Sequence, residues 1–254
     1  MDILYIVGKG RSNSNDIELR MSLRSVTKYG KNVSRIFVAG YCPDWLSNEV
    51  IKVPVEDIVV SDKPLTCVEK HLNIINCLLK TVDGTDIGEH FLVSMDDHFY
   101  LRDVDFDNYP YYLRLNSWGK ELPTKEWTFG DEYYEFLNGT RKYLESLNMS
   151  VLCATIHRNM HCARSWVNDC RLYLEKAVAE KLPCEPWSFL NNYNATKNGV
   201  EYIPVKDIKI MSVNDYYIAN SKTIECFSTD NFEEKSGIGV LLKRLYNEKC
   251  KYEL

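Results

Sequence analysis

Apolar runs and helical stripes alternate along the first hundred residues. Asp2–Val7 (DILYIV) is β-branched and apolar, and glycine and lysine bound it at Gly8-Lys9-Gly10, the pattern of a buried strand entering a loop. Leu19, Leu23 and Val26 then recur at helical spacing, which predicts a helix capped by Asn15 or Asp16 and ended near Tyr29-Gly30. Arg35–Ala39 (RIFVA) and Val50–Val53 read as two further strands. Val68, Leu72, Ile75 and Leu79 stripe a helix over residues 65–79. Phe91–Ser94 is another short apolar run, and it leads straight into Asp96-Asp97-His98. This β-α-β-β-α-β order predicts an α/β fold with a mostly parallel, doubly wound sheet and helices on both faces.

The second half is patterned less cleanly. Helices are expected over 131–147, 163–181 and 238–246, and strands over Val151–Thr155 and Val205–Met211. Between Tyr109 and Tyr134 the chain is dense in aromatic residues, which serve either as core or as the lining of a sugar-holding cleft. No linker-like stretch or repeat divides the chain, so residues 1–254 are read as a single domain. Residues 1–107 would form a nucleotide-binding half and 108–254 an acceptor-side half.

Composition narrows the function classes. The chain is 45% hydrophobic and 26% charged, with a formal net charge of -5 and no Lys/Arg run, which argues against non-specific nucleic-acid binding. Nine cysteines without C-x-x-C spacing, together with a short, strand-like start, suggest free thiols in a cytoplasmic setting. No apolar segment reaches membrane-spanning length, so no membrane insertion is expected.

The chemistry concentrates at the acidic turn. Carboxylates and an imidazole at the carboxyl end of a buried strand occupy the place where open α/β sheets bind ligands. They are also the donor types that Mg²⁺ or Mn²⁺ accepts. The alternative is a polar strand end capping a turn. Gly8 and Lys9 lie in a loop whose amides can approach a phosphate, although neither a P-loop nor a dinucleotide fingerprint is present. Arg20 and Arg24 share one helix face, either as a solvated pair or as a fork for pyrophosphate. Lys70 and Asn73 share another face. His157 and His161 are four apart, a spacing that on a helix can grip a metal, but H-E-x-x-H lacks its glutamate here.

IVGKG, DIELRMSLRSV, RIFVAG with PDWL, FLVSMDDHF and the tail FSTDNF…LYNEKCKYE together resemble glycosyltransferases of the GT-A fold. They are most similar to the phage and bacterial group related to Stealth-type sugar-phosphate transferases. The resemblance implies a nucleotide-sugar donor, a UDP-sugar first among them, a hydroxyl acceptor, and a divalent ion held by an acidic motif. Asp96-Asp97-His98 then reads as D-x-H, with Asp96 and His98 as ligands, or with Asp97 in place of Asp96. His157 takes the place of the family's further metal-binding histidine, with His161 in reserve, although Arg158-Asn159 stands where the family has x-Pro. Gly8, Lys9, Arg20, Arg24, Lys70 and Asn73 are the donor-side candidates. Asp97 and Asp207 are the catalytic carboxylates, Asp207 as acceptor base. Competing readings are sugar-1-phosphate transfer and a non-catalytic nucleotide-sugar-binding module.

Overall fold

The computed structural model describes residues 1–8, 16–114, 131–152, 156–205, 209–221, 225–229 and 236–254. In chain order the elements are β1 (Asp2–Val7), α1 (Ile17–Tyr29), β2 (Gly30–Lys31), β3 (Ile36–Gly40), β4 (Val50–Pro54), α2 (Cys67–Gly84), β5 (His90–Ser94), β6 (His98–Tyr100), β7 (Val104–Asp105), β8 (Tyr112–Arg114), α3 (Asp131–Ser146), β9 (Met160–Ala163), α4 (Arg164–Glu180), α5 (Pro186–Asn198), β10 (Ile203–Val205), α6 (Val213–Ser221), β11 (Cys226–Ser228) and α7 (Gly237–Leu245).

The central sheet runs β4-β3-β1-β5-β9. Its first three pairings are parallel, with Tyr5 between Val38 and Ser94, and β9 joins antiparallel. Every residue of β1 is buried, as expected of a strand covered on both faces. Side-chain alternation splits the core in two. Ile3, Tyr5, Ile36, Val38 and Leu92 pack with Leu19, Leu23 and Val26 of α1. Leu4, Ile6, Phe37, Phe91 and Val93 pack with Ile75, Leu78 and Val82 of α2 and Val167, Cys170 and Leu174 of α4. A third cluster joins Ile17 and Met21 to Phe99, Phe227, Ile238 and Leu242, and so ties α1 and α7 to the small β6–β11 sheet.

Local sequence accounts for the element ends. Thr66 and Glu69 form a reciprocal capping box at the start of α2. Gly40 ends β3 at φ +88°, and a Cβ there would collide with the Val7 carbonyl oxygen, so only glycine fits beside β1. Three expectations need correction. His157 and His161 do not share a helix: His157 lies in a bend and His161 in β9. The strand expected at 151–155 is irregular at Val151 and Leu152, and residues 153–155 lie outside the described residues. Strand structure around Val205–Met211 is limited to β10 and a single bridge from Lys209 to Ser228; residues 206–208 lie outside the described residues.

Candidate active site

β1 and β5 are neighbours, and the chain leaves β1 for α1 and β3 on one side of it and reaches β5 on the other. Their carboxyl ends therefore stand together where the winding reverses, the position at which such sheets bind ligands. Gly8 follows β1 and is exposed, with no atom within 4 Å of where a Cβ would sit. Asp96 and Asp97 form the turn after β5, closed by His98 N–H donating to the Met95 carbonyl at 3.4 Å.

Helix α1 holds that turn in place. Ser22 Oγ donates to the His98 carbonyl at 2.7 Å, and Ser25 Oγ accepts from the Tyr100 N–H at 3.1 Å. Tyr5 Oη lies 3.2 Å from Ser22 Oγ and so brings β1 into the same network. The S-L-R-S run thus places two short hydroxyls against backbone groups of β6, which a longer side chain would push away.

Electrostatically the turn is loaded. Asp96 is pushed up to about 7, first by desolvation, then by Asp97 and by Glu18 and Asp16 at the start of α1. Asp97 Oδ1 stands 3.7 Å from His98 Nε2, and His98 is fully buried. The His157 ring lies edge-to-face with His98, 6.5 Å between centroids. Carboxylate oxygens and imidazole nitrogens fit a divalent ion in kind. Among the described residues, however, no three His, Cys, Asp or Glu side chains are spaced to hold one together. Asp97 and His98 are the pair of such side chains that the structure brings within 4 Å of each other at the turn.

Compared with solved structures, the chain is similar over 99% of its length to the galactosyltransferase LgtC, in a complex with donor and acceptor sugar analogs. The TM-score is 0.51 at 13% identity, with 97% of that chain covered. The fold is that of a GT-A-like glycosyltransferase. An active-site mutant of LgtC aligns at TM-score 0.44 and 14% identity, over 100% of this chain and 85% of that one. No family model matches the chain, and no curated protein matches it.

Several of the sequence-derived candidates are engaged elsewhere. Arg20 and Arg24 form neither a solvated face nor an open fork: both bind Glu253. Arg24 does so through Nε and Nη2 at 2.6 and 2.7 Å, and Arg20 through Nη1 at 3.2 Å. Asn73 is buried and exchanges two hydrogen bonds with the Val59 backbone, at 2.9 and 3.0 Å. It therefore pins the segment before α2. Lys70 is exposed. His161 Nε2 lies 2.7 Å from the Tyr109 carbonyl, and its ring stacks on Tyr111 at 3.9 Å, so it packs. Burial pushes its pKa down. Lys9 and Asp207 lie outside the described residues.

Other residues near the turn carried no signal in the sequence. Arg158 is mostly buried, lies 3.7 Å from Glu225, and stacks over Tyr112 at 5.0 Å. Asn159 and Ser228 are buried beside the two histidines. A lone Arg-Asn dipeptide and a serine in a three-residue strand match no motif. Only the pairing of β9 with β5 and of β11 with β6 brings them to the site.

Proposed function

We propose that the chain is a metal-dependent glycosyltransferase that moves a sugar from a nucleotide-sugar donor, a UDP-sugar first among them, to a hydroxyl acceptor. One observation carries this reading: the Asp96-Asp97-His98 turn lies at the carboxyl end of β5, next to the end of β1, in a glycosyltransferase fold. LgtC was crystallised with donor and acceptor sugar analogs, which supports looking for both in the same crevice.

Asp97 and His98 are the residues that would hold Mn²⁺ or Mg²⁺. Their 3.7 Å approach favours Asp97 over Asp96 as the partner of His98, with Asp96 and His157 adjoining. When bound, the ion supplies Lewis-acid neutralisation of the charge that grows on the leaving diphosphate. The desolvation of Asp96, and the repulsion it meets from Asp97, Glu18 and Asp16, support a cation-binding role, because a divalent charge relieves both. Ser22 and Ser25 keep the backbone of the turn fixed against α1, so that the ligands are positioned before donor arrives. Gly8, which follows β1, and Lys9, the next residue in the chain, are assigned to the donor phosphates. Lys70, exposed on α2, is the remaining donor-side cation among the candidates, since Arg20 and Arg24 hold Glu253. Asp207 is assigned to accept the acceptor's proton.

The test is a thermal-shift screen of nucleotide sugars with and without Mn²⁺, followed by mass analysis of the nucleotide product. Metal-dependent stabilisation by a UDP-sugar and release of UDP are expected. Release of UMP instead would move the reaction to the sugar-1-phosphate transfer of the Stealth relatives. Binding without turnover on any acceptor would leave a nucleotide-sugar-binding module. A panel with no metal-dependent shift would overturn the proposal.

A further inference from the structure

A cavity of about 240 Å³ opens at the C-terminal end of α1. Arg24, Thr27 and Lys28 form one wall, Leu245 and Tyr246 at the end of α7 another, and residues 247–250 close it. The acidic turn stands at the opposite end of the helix, where Glu18 acts on Asp96. From Glu18 to Lys28 the helix axis runs about 15 Å at 1.5 Å per residue, so the cavity is separate from the crevice between β1 and β5. Three cations line it, Arg24, Lys28 and Lys249, against one carboxylate, Glu248. In a chain whose net charge is -5 this is a local reversal of sign. The last carbonyls of α7 are already answered, Leu245 by Lys28 Nζ at 3.1 Å and Tyr246 by Arg24 Nη1 at 3.0 Å. An ammonium carries three N–H groups, so Lys28 keeps two for another partner. Lys249 is exposed and forms no ion pair among the described residues. Asn247, also exposed, adds a carboxamide.

We propose that this cavity is a second binding site, for a small phosphate ester, held by Lys28, Lys249 and Asn247. The assignment does not depend on the glycosyltransferase reading. Chemistry selects phosphate over carboxylate. A carboxylate is read best by the planar fork of an arginine, and the fork of Arg24 is taken by Glu253. What remains are two ammonium groups on flexible stems and an amide, which suit the several oxygens and double charge of a phosphate. Size selects an ester. Sites for drug-sized ligands run to about 300–1,000 Å³, and a cavity of about 240 Å³ takes something smaller. A phosphate between the two lysines leaves the space beside Thr27 and Leu245 for a short polar chain or a single sugar ring. The bound ester bridges α1 and the tail, the same two segments that Arg24 and Glu253 join, so binding stabilises the fold by linkage.

The test is calorimetric titration of the whole chain in metal-free buffer, where the carboxylates of the acidic turn repel anions. Glycerol 3-phosphate and glucose 1-phosphate should bind and raise the melting temperature, inorganic phosphate should bind more weakly, and glycerol and glucose should not bind. Lys249→Glu should melt within about 2 °C of the parent, because the side chain is exposed, and should lose about tenfold or more in affinity for both esters. Glu248→Gln removes the one carboxylate of the lining and should tighten both about twofold. Absence of binding by either ester would overturn the proposal, as would parental affinity in Lys249→Glu. Inorganic phosphate binding as tightly as the esters, or glycerol binding as tightly as its phosphate, would overturn the ligand class. None of these outcomes touches the nucleotide-sugar screen, which reads the other site in the presence of Mn²⁺.

Discussion

Glu253 offers the sharpest test of what Arg20 and Arg24 are for. Its side chain is 1% exposed and receives three guanidinium hydrogen bonds, two of them from Arg24 in fork geometry, plus the Cys250 N–H at 3.2 Å. Glu253→Gln keeps the shape but turns an amide N–H toward the guanidinia and removes the charge they pair with. Breaking one side of a buried pair costs about 3–5 kcal/mol. Here both arginines retain some solvent contact, 19% and 17% of the side chain, and Arg24 keeps its bond to the Tyr246 carbonyl. The lower end, about 3 kcal/mol, is therefore expected, a fall in Tm of about 6–12 °C for a chain of this size. The sign of the pH dependence follows from the carboxyl. Burial alone would raise it, but the Arg24 and Cys250 hydrogen bonds outweigh burial and lower it. A lowered carboxyl contributes stability that is present above the unfolded pKa, about 4.3, and is lost as pH falls through the folded value. The melting gap between parent and variant should thus be full at pH 7 and close as pH drops below about 4. Thermal unfolding of both proteins from pH 3 to 8 measures it. A variant that melts with the parent at pH 7, or a gap that does not depend on pH, would refute the clasp. Unchanged melting with weakened nucleotide binding would return the arginines to the donor site.

Two further outcomes follow from the turn and the sheet. Asp97→Asn should abolish detectable Mn²⁺ binding by calorimetry while shifting Tm by no more than about 2 °C, because Asp97 is part-exposed and its partner His98 stays packed; wild-type Mn²⁺ affinity in this variant would remove Asp97 from the site. Gly40→Ala should cost at least about 3 kcal/mol, from strain at positive φ and from collision with the Val7 carbonyl, and read out as loss of soluble protein or a fall in Tm of at least about 6 °C; a variant that melts with the parent would show that β1 and β3 are spaced more widely than this.

The legible part of the fold is the part in which local pattern and burial coincide. β1, β3, β5, α1 and α2 carry strand runs or helical stripes strong enough to locate them, and the carboxyl end of β5 follows directly. α5 was not expected because its sequence, PWSFLNNYNATKN, has no apolar stripe. Residues 186–192 are buried on every side, and the amides there are satisfied internally: Asn191 to the Trp187 carbonyl, and Asn192 to Ser188 and Leu152. Periodicity has no face to report there. The three-residue strands β6 and β11 exist through each other and through the α1 serines, a tertiary cause that no window of sequence contains.

The candidate site divides along the same line. A motif identifies chemistry that is contiguous, so Asp96, Asp97 and His98 stand out. It cannot say what a side chain meets across the fold. Arg20 and Arg24 lie on one helix face, as their spacing requires, but spacing is equally compatible with phosphate, solvent or a carboxylate. Glu253, more than two hundred residues away in the chain, decides among them. In holding it, the arginines tie residues 250–254 to α1, the helix whose Ser22 and Ser25 carry the His98 and Tyr100 backbone. The ELR-x-SLRS run thus has two structural tasks: its serines fix the acidic turn on one face, and its arginines anchor the tail on the next. Arg24 thereby joins α1 to both Glu253 and the Tyr246 carbonyl, so loss of its charge should loosen the packing of the tail on that helix.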